Sequence, residues 1–197
     1  MPCTPEGVYA LLGCHLSARR RAHSRRTARL AAELCRRFGL DPQPGVVAGL
    51  AHDVARELPD GQLLALAAQD GRGITPEQRR RPVLLHGRAG AALLRRRGLE
   101  GCDPEVYEAV ADHVTGRPGM GPLARVVYVA DFLEPGRGFM GPETRAGLLA
   151  MDLDAMVRAV LGRVSAYLAE GGVPVAEDAL ALYHELGEHA DEQAQMG

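Results

Sequence analysis

His52 and Asp53 stand side by side in Gly49-Leu50-Ala51-His52-Asp53-Val54-Ala55-Arg56-Glu57-Leu58-Pro59, a stretch that otherwise reads as a buried helix. An ionised carboxylate taken out of water is costly unless it is paired or bound to a metal. Its neighbours Val47, Leu50, Ala51, Val54 and Leu58 offer it nothing. A divalent cation meets the need, because imidazole nitrogen with carboxylate oxygen suits iron, manganese, zinc or nickel. Consecutive helical residues point about 100° apart, so the two could share one ion only from the end or edge of a helix. Two ligands are too few, and the rest of the chain must supply others.

Four more candidates lie in helical stretches otherwise made of small and apolar residues. His23 follows Ala22 and shares a face with Leu30, His86 follows Val83-Leu84-Leu85, and His113 ends the stretch holding Val106 and Val110. Asp131 interrupts the apolar run from Val126 to Leu133. A lone buried histidine is commonly a satisfied core residue, but several helices each presenting one polar ligand resemble the way bundle cores house metals. His184 and His189, near an acidic C-terminus, are expected to be exposed. No serine or cysteine has a nucleophile context, and no phosphate-cradling or dinucleotide loop is present.

The elements that must position these residues are helices, since apolar residues recur at helical spacing and no stretch alternates long enough for a sheet. The expected fold is all-α and a single domain over 1–197. A short helix spans about 6–13, and a long one starting at Leu16-Ser17 runs through His23 to Arg37, closed by Gly39. The helix carrying His52 and Asp53 stops near Pro59, another runs from Asp60 to about Asp70, and Gly71-Arg72-Gly73 breaks the pattern. Thr75-Pro76-Glu77 and Asp103-Pro104-Glu105 each place a capping residue before a proline at the first helical position. Further helices are expected at about 83–97, 104–113, 123–132, 143–150, 153–170 and 177–188, with a frayed tail after His189.

With 46% hydrophobic residues the 197-residue chain can bury a real core. Its net charge of -2 argues against bulk electrostatic binding of nucleic acid. Every basic residue is arginine, a compositional habit that weakens any reading of arginine clusters. The runs Arg19-Arg20-Arg21 with Arg25, Arg26 and Arg29, then Arg79-Arg80-Arg81 and Arg95-Arg96-Arg97, are expected to be solvated surface, Arg20 excepted. Cys3, Cys14, Cys35 and Cys102 lack metal or redox spacing and read as reduced thiols in a cytoplasmic protein. No membrane span or signal peptide is evident, and an apolar helix face is available for a homodimer.

His23, then His52-Asp53, then Asp131, with His86 and His113 between, resembles the H…HD…D signature of the HD-domain metal-dependent phosphohydrolases. Longer strings sharpen the likeness: Arg20-Arg21-Ala22-His23-Ser24, the Gly49 to Pro59 stretch, Leu84-Leu85-His86, His113-Val114-Thr115-Gly116-Arg117-Pro118-Gly119-Met120, and Val127 through Asp131 to Arg137. They are similar to the branch of symmetrical diadenosine-tetraphosphate hydrolases, from about Ser17 to Leu182.

The resemblance implies an HD-domain helical bundle whose core covers about 17–137, with C-terminal helices at 143–188 packing on it. By the same likeness His23, His52, Asp53 and Asp131 would hold iron, with manganese, nickel or cobalt as alternatives. His86 and His113 would face the same cavity, either completing a second metal position or binding phosphate. Arg20, Val114, Thr115 and Arg137 would contact a nucleoside diphosphate, and the loop Gly172-Val173-Pro174-Val175 would close over its base or ribose. Arg56 stands where the family pattern has lysine, which keeps the charge but not a transferable proton.

The implied reaction uses water made acidic by a metal to attack a phosphorus atom in line. Asp53, His86 or His113 would take the proton, and a small nucleotide, not nucleic acid or a membrane, would be the partner. Cleavage in the middle of a four-phosphate bridge would give two ADP. The competing expectations are a phosphohydrolase of mononucleotides such as dNTPs and a non-catalytic module that binds a metal and a nucleotide.

Overall fold

Thr4 caps the first helix and Ser17 the second, and Leu16 between them is buried, so the chain turns from one helix into the next over the core. The computed structural model describes residues 3–96 and 102–196, with side chains described as far as residue 188. Its α-helices are α1 Pro5–His15, α2 Ala18–Arg37, α3 Pro42–Ala51, α4 Asp60–Ala67, α5 Pro76–Arg80, α6 His86–Arg96, α7 Pro104–Asp112, α8 Pro122–Leu133, α9 Pro142–Leu149, α10 Leu153–Glu170 and α11 Glu177–Met196. Short 3₁₀ turns at Ala68–Asp70 and Pro82–Leu85 complete the order, and no strand occurs among the described residues. The all-α expectation therefore holds.

Prolines at first-turn positions start α1, α3, α5, α7, α8 and α9, where a missing N–H costs nothing. Thr75 and Gln78 form a capping box on α5, and Asp103 caps α7, as their sequences imply.

Helix α2 lies against α3 and α8, α7 bridges α6, α3 and α8, and α10 packs on α8 with α11 beside it. Ala28, Ala31, Val47, Ala51, Val110, Val126, Val127, Ala130, Val157 and Leu182 are all buried in one continuous core. Two glycines set the close approaches. A Cβ on Gly49 would sit 2.6 Å from the Ala28 Cα, and one on Gly87 would sit 2.6 Å from the Ala111 carbonyl oxygen. Helix α3 can press onto α2, and α6 onto α7, only because those positions have no side chain.

Three expectations need correction. The helix before His52 ends at Ala51, so His52 and Asp53 lie in the turn that follows, not inside a helix running to Pro59. The backbone of α11 continues to Met196, where a frayed tail was expected, because the residues after His189, Ala190-Asp191-Glu192-Gln193-Ala194-Gln195-Met196, are mostly strong helix formers. Cys3 and Cys102 form a disulfide with Cα atoms 5.0 Å apart, although size alone gives the chain no need of a staple. The fold brings the start of α1 beside the start of α7, which no spacing in the sequence reveals. Cys14 and Cys35 stay free, and burial pushes the Cys35 thiol up to about 11.

Gly71-Arg72-Gly73 breaks the helical pattern as expected, with Gly71 in the left-handed region at φ 76°, and its arginine joins a network. Asp70 accepts from Arg72 and, on both carboxylate oxygens, from Nε and Nη2 of the buried Arg88. Arg72 reaches on to buried Asp112, which also accepts from Arg117. This network ties the loop after α4 to α6 and to the end of α7, behind His113. Arg97 and the side chain of His189 lie outside the described residues.

Candidate metal centre

Five of the six candidate ligands sit at helix ends. His52 and Asp53 follow α3, His86 opens α6, His113 follows α7, and Asp131 lies in the last turn of α8, whereas His23 is mid-helix in α2. The chain bends most at helix ends, so adjacent residues there can turn toward one point. Three helices, α3, α7 and α8, end at the site, and helix C-termini carry partial negative charge that favours a cation.

The six residues meet. His23 Nε2 lies 2.9 Å from Asp131 Oδ1 and 3.1 Å from His52 Nε2, and His52 Nε2 lies 3.5 Å from Asp131 Oδ1. Asp53 Oδ2 completes that group at 3.7 Å from His23 Nε2 and 3.6 Å from His52 Nε2. Its other oxygen faces the opposite way, 3.1 Å from His86 Nε2 and 3.9 Å from His113 Nε2, and these two nitrogens are 3.0 Å apart. Asp53 thus stands between two clusters, one oxygen to each.

Every imidazole is oriented by its other nitrogen. Nδ1 donates to Gly49 O in His52 (2.8 Å), to Val83 O in His86 (2.6 Å), to Val110 O in His113 (2.8 Å) and to Glu134 Oε1 in His23 (3.1 Å). Acceptors at all four Nδ1 atoms assign the proton there and leave the Nε2 lone pairs aimed inward. Lone pairs facing each other at about 3 Å repel unless a positive charge lies between them. The donor set therefore fits a divalent metal: imidazole nitrogens and carboxylate oxygens, converging, with their outer atoms already hydrogen-bonded.

Charge in the site points the same way. Burial disfavours a proton on His52, but Asp53 and Asp131 outweigh it and raise the imidazole to about 9. The pair of carboxylates thus recruits one positive charge to the position where Nε2 faces its partners. His113, equally buried and repelled by His86 and His52, falls to about 3 and stays neutral. Asp53 and Asp131 resist the upward push of burial because the surrounding imidazoles, and for Asp131 also Arg137, hold them well below the ordinary carboxylate range.

Arg20 donates to Asp53 Oδ2 at 3.0 Å, and its Nε is buried with no partner. Arg137 donates through Nε to the Asp131 carbonyl at 2.9 Å and through Nη2 to the Asp131 carboxylate. Both arginine side chains remain partly exposed, at 21% and 30%. Arg56, half-buried, loses some of its hold on its proton to burial and to Arg20, with Asp53 and Asp131 opposing. Val114 and Thr115 follow His113 directly, with Thr115 Oγ1 donating to Gly116 O. Gly172 and Val173 hydrogen-bond back to Ala169 and Leu168 at the end of α10 and are not joined to the six residues by any hydrogen bond. His184 is exposed.

Sequence reasoning missed Glu134 and misread Arg26 as solvated. Glu134 is 1% exposed, accepts from His23, receives Arg26 on both oxygens, and takes the Gly136 N–H at 2.5 Å. Burial pushes its carboxyl up, yet Arg26, Gly136 and His23 bring it down to about 2. The available signal was a carboxylate closing the apolar run of α8, three residues after Asp131.

Comparison with known proteins bears on this geometry. The HD domain family model matches residues 20–136. The symmetrical bis(5'-nucleosyl)-tetraphosphatase of Bacillus subtilis is 30% identical over 91% of this chain and 95% of its own. That of Halalkalibacterium halodurans is 30% identical over 87% of this chain and 91% of its own. The crystal structure of a predicted HD superfamily hydrolase involved in NAD metabolism from Clostridium acetobutylicum superposes with a TM-score of 0.85 at 27% identity, covering 93% of this chain and 97% of that one. Since the matched span opens at Arg20 and closes at Gly136, just short of Arg137, and contains all six converging residues, this chain belongs to the HD-domain family.

Proposed function

We propose that the protein is a metal-dependent phosphohydrolase that cleaves diadenosine tetraphosphate and related dinucleoside polyphosphates symmetrically, releasing two nucleoside diphosphates. The observation that carries this reading is the convergence of four Nε2 atoms on two carboxylates, with Arg20 paired to Asp53 and Arg137 to Asp131. The likeness to symmetrical bis(5'-nucleosyl)-tetraphosphatases over nearly the whole of both chains supports it.

His23, His52, Asp53 and Asp131 would hold the metal, with iron our choice for this nitrogen and oxygen set and manganese, nickel or cobalt as substitutes. When bound, such an ion lowers the pKa of water from about 16 toward 7 and withdraws charge from phosphoryl oxygens.

The remaining work falls to the chain. Arg137, on Asp131, offers a planar fork that can hold two oxygens of one phosphoryl group, and Arg20, on Asp53, adds a second guanidinium. They neutralise charge that develops on those oxygens in transfer. Asp53, His86 and His113 are the proton acceptors within reach of the cavity, the Nε2 atoms of His86 and His113 lying 3.0 Å apart. Asp53, facing both clusters, links the metal group to that pair.

The test is turnover of diadenosine tetraphosphate by protein purified without oxygen and assayed for metal content. Iron or manganese should restore release of ADP alone. Release of AMP with ATP would refute symmetrical cleavage, and inactivity with every metal would refute the hydrolase reading for this substrate.

A further inference from the structure

Asp112 is the residue before His113, and it is buried with both carboxylate oxygens engaged. Arg72 Nη1 donates to one at 2.8 Å and Arg117 Nε to the other at 2.7 Å. Arg72 also donates through Nε to Asp70 at 2.9 Å, and Asp70 accepts from Nε and Nη2 of Arg88, each at 2.7 Å. Arg88 comes two residues after His86, in the first turn of α6. A continuous run of charged hydrogen bonds therefore joins the end of α7 to the start of α6. Each end of the run lies beside one histidine of the pair whose Nε2 atoms are 3.0 Å apart.

These guanidinium groups have little left for a ligand. Arg88 spends further donors on the carbonyls of Arg72 and Gly73, at 2.8 and 2.9 Å, and Arg117 reaches Glu108 at 2.6 Å. Asp70, Glu108 and Asp112 match Arg72, Arg88 and Arg117 one for one, so the cluster offers an anion no net charge.

Its use follows from what the rest of the contact between α6 and α7 lacks. Gly87 and Gly90 lie against Val110 and Ala111, and packing of that kind draws two helices together without direction. Each imidazole is tied to its own segment, His86 to the Val83 carbonyl and His113 to the Val110 carbonyl. The separation of the two rings is thus inherited from how far one helix stands along the other. Charged hydrogen bonds supply the missing direction. A buried ion-pair network is better attested as a device that fixes register than as a source of net stability.

We propose that Asp112 is a positioning residue for the His86–His113 pair, holding α7 in register with α6 through Arg72, Asp70 and Arg88. It acts through His113 and not on the substrate itself. Its effect on turnover rests on the hydrolase reading of the metal centre, whereas its effect on the geometry of the pair does not.

The test uses the full chain and three variants. Asp112→Asn keeps the shape and removes the charge, Arg72→Gln cuts the run between Asp70 and Asp112, and Glu108→Gln removes an ion pair of Arg117 that lies outside the run. In the metal-free proteins, NMR spectra of the imidazole nitrogens follow each ring separately. Asp112→Asn and Arg72→Gln should shift the Nε2 signals of His86 and His113 and leave His23 in place, while Glu108→Gln should leave all three. In the metal-loaded protein Asp112→Asn should lower kcat about 10- to 100-fold, the scale on which a small misplacement of a reacting group costs rate. In a His113→Ala background the same substitution should cost no further activity, because a residue that acts through His113 then has nothing to position. Three results would overturn the proposal: unshifted His86 and His113 signals in both Asp112→Asn and Arg72→Gln, an equal shift in Glu108→Gln, or the same fold-loss of kcat with and without His113. Should Asp112→Asn not fold, Arg72→Gln carries both readouts, since Arg117 still covers Asp112. A parent that turns over no dinucleotide counts against the hydrolase reading alone, and the spectra still decide the positioning role.

Discussion

Glu134 Oε1 accepts the Nδ1 proton of His23 at 3.1 Å, and Arg26 holds the same carboxylate from the other side. A carboxylate behind a ligating imidazole fixes the tautomer, aims Nε2 and raises its basicity. Replacing Glu134 by glutamine keeps the shape but removes the charge. Metal titration should show affinity lower by about 10- to 100-fold, with a smaller loss in Glu134→Asp. An affinity equal to that of the parent would leave Glu134 a purely structural residue.

The same carboxylate links folding to pH. Glu134 is held at about 2, below the usual glutamate value of about 4.3. A depressed acid contributes stability that is present above the unfolded value and is lost as pH falls toward the folded one. Denaturant melts of the metal-free protein between about pH 5 and pH 2 should therefore show a shallower loss of stability in Glu134→Gln than in the parent.

His52 sets the pH dependence of metal binding. Its imidazole is held at about 9 in the metal-free site, so an ion binding near neutral pH must displace one proton. Affinity should rise with pH up to about 9 and then level. Calorimetry in buffers of different ionisation enthalpy should count about one proton released per ion below that pH. No release at neutral pH would show that His52 is already neutral.

Gly87→Ala drives a methyl group into the Ala111 and Val110 carbonyl oxygens, which lie 2.6 and 2.8 Å from the ideal Cβ. Overpacking of this kind costs about 1–3 kcal/mol, or several degrees in Tm at roughly 2–4 °C per kcal/mol for a chain of this size. Because α6 carries His86 and α7 leads to His113, the variant should also lose activity beyond what its unfolded fraction explains. Thermal melts paired with turnover at a temperature where both proteins are folded will separate the two effects.

Arg137→Lys keeps the charge but not the fork that reaches both the Asp131 carbonyl and its carboxylate. Hydrogen bonds to charged groups contribute about 1.5–3 kcal/mol. Lysine should therefore cost roughly 10- to 100-fold in kcat/KM, and alanine at least as much. Equal activity in the lysine variant would show that point charge alone is used.

The sequence by itself determined which residues are chemically anomalous. Histidine and aspartate inside apolar helical stretches are conspicuous because burial without a partner is costly, and His23, His52, Asp53, His86, His113 and Asp131 all stood out for that reason. Helical periodicity and the Thr75 and Asp103 caps are local and legible for the same cause: they depend on neighbours within one turn.

Tertiary structure alone decided what faces what. Glu134 reaches His23 across 111 positions, Arg72 reaches Asp112 across 40, and Cys3 meets Cys102 across 99. In sequence each of these looked like an ordinary surface or loop residue. Nor could periodicity show that α3 ends at Ala51, since Val54 and Ala55 are fully buried and continue the apolar pattern without continuing the helix. Burial is read from composition, but the partner that satisfies a buried charge is fixed by how helices cross, which depends on close approaches such as Gly49 on Ala28 and Gly87 on Ala111.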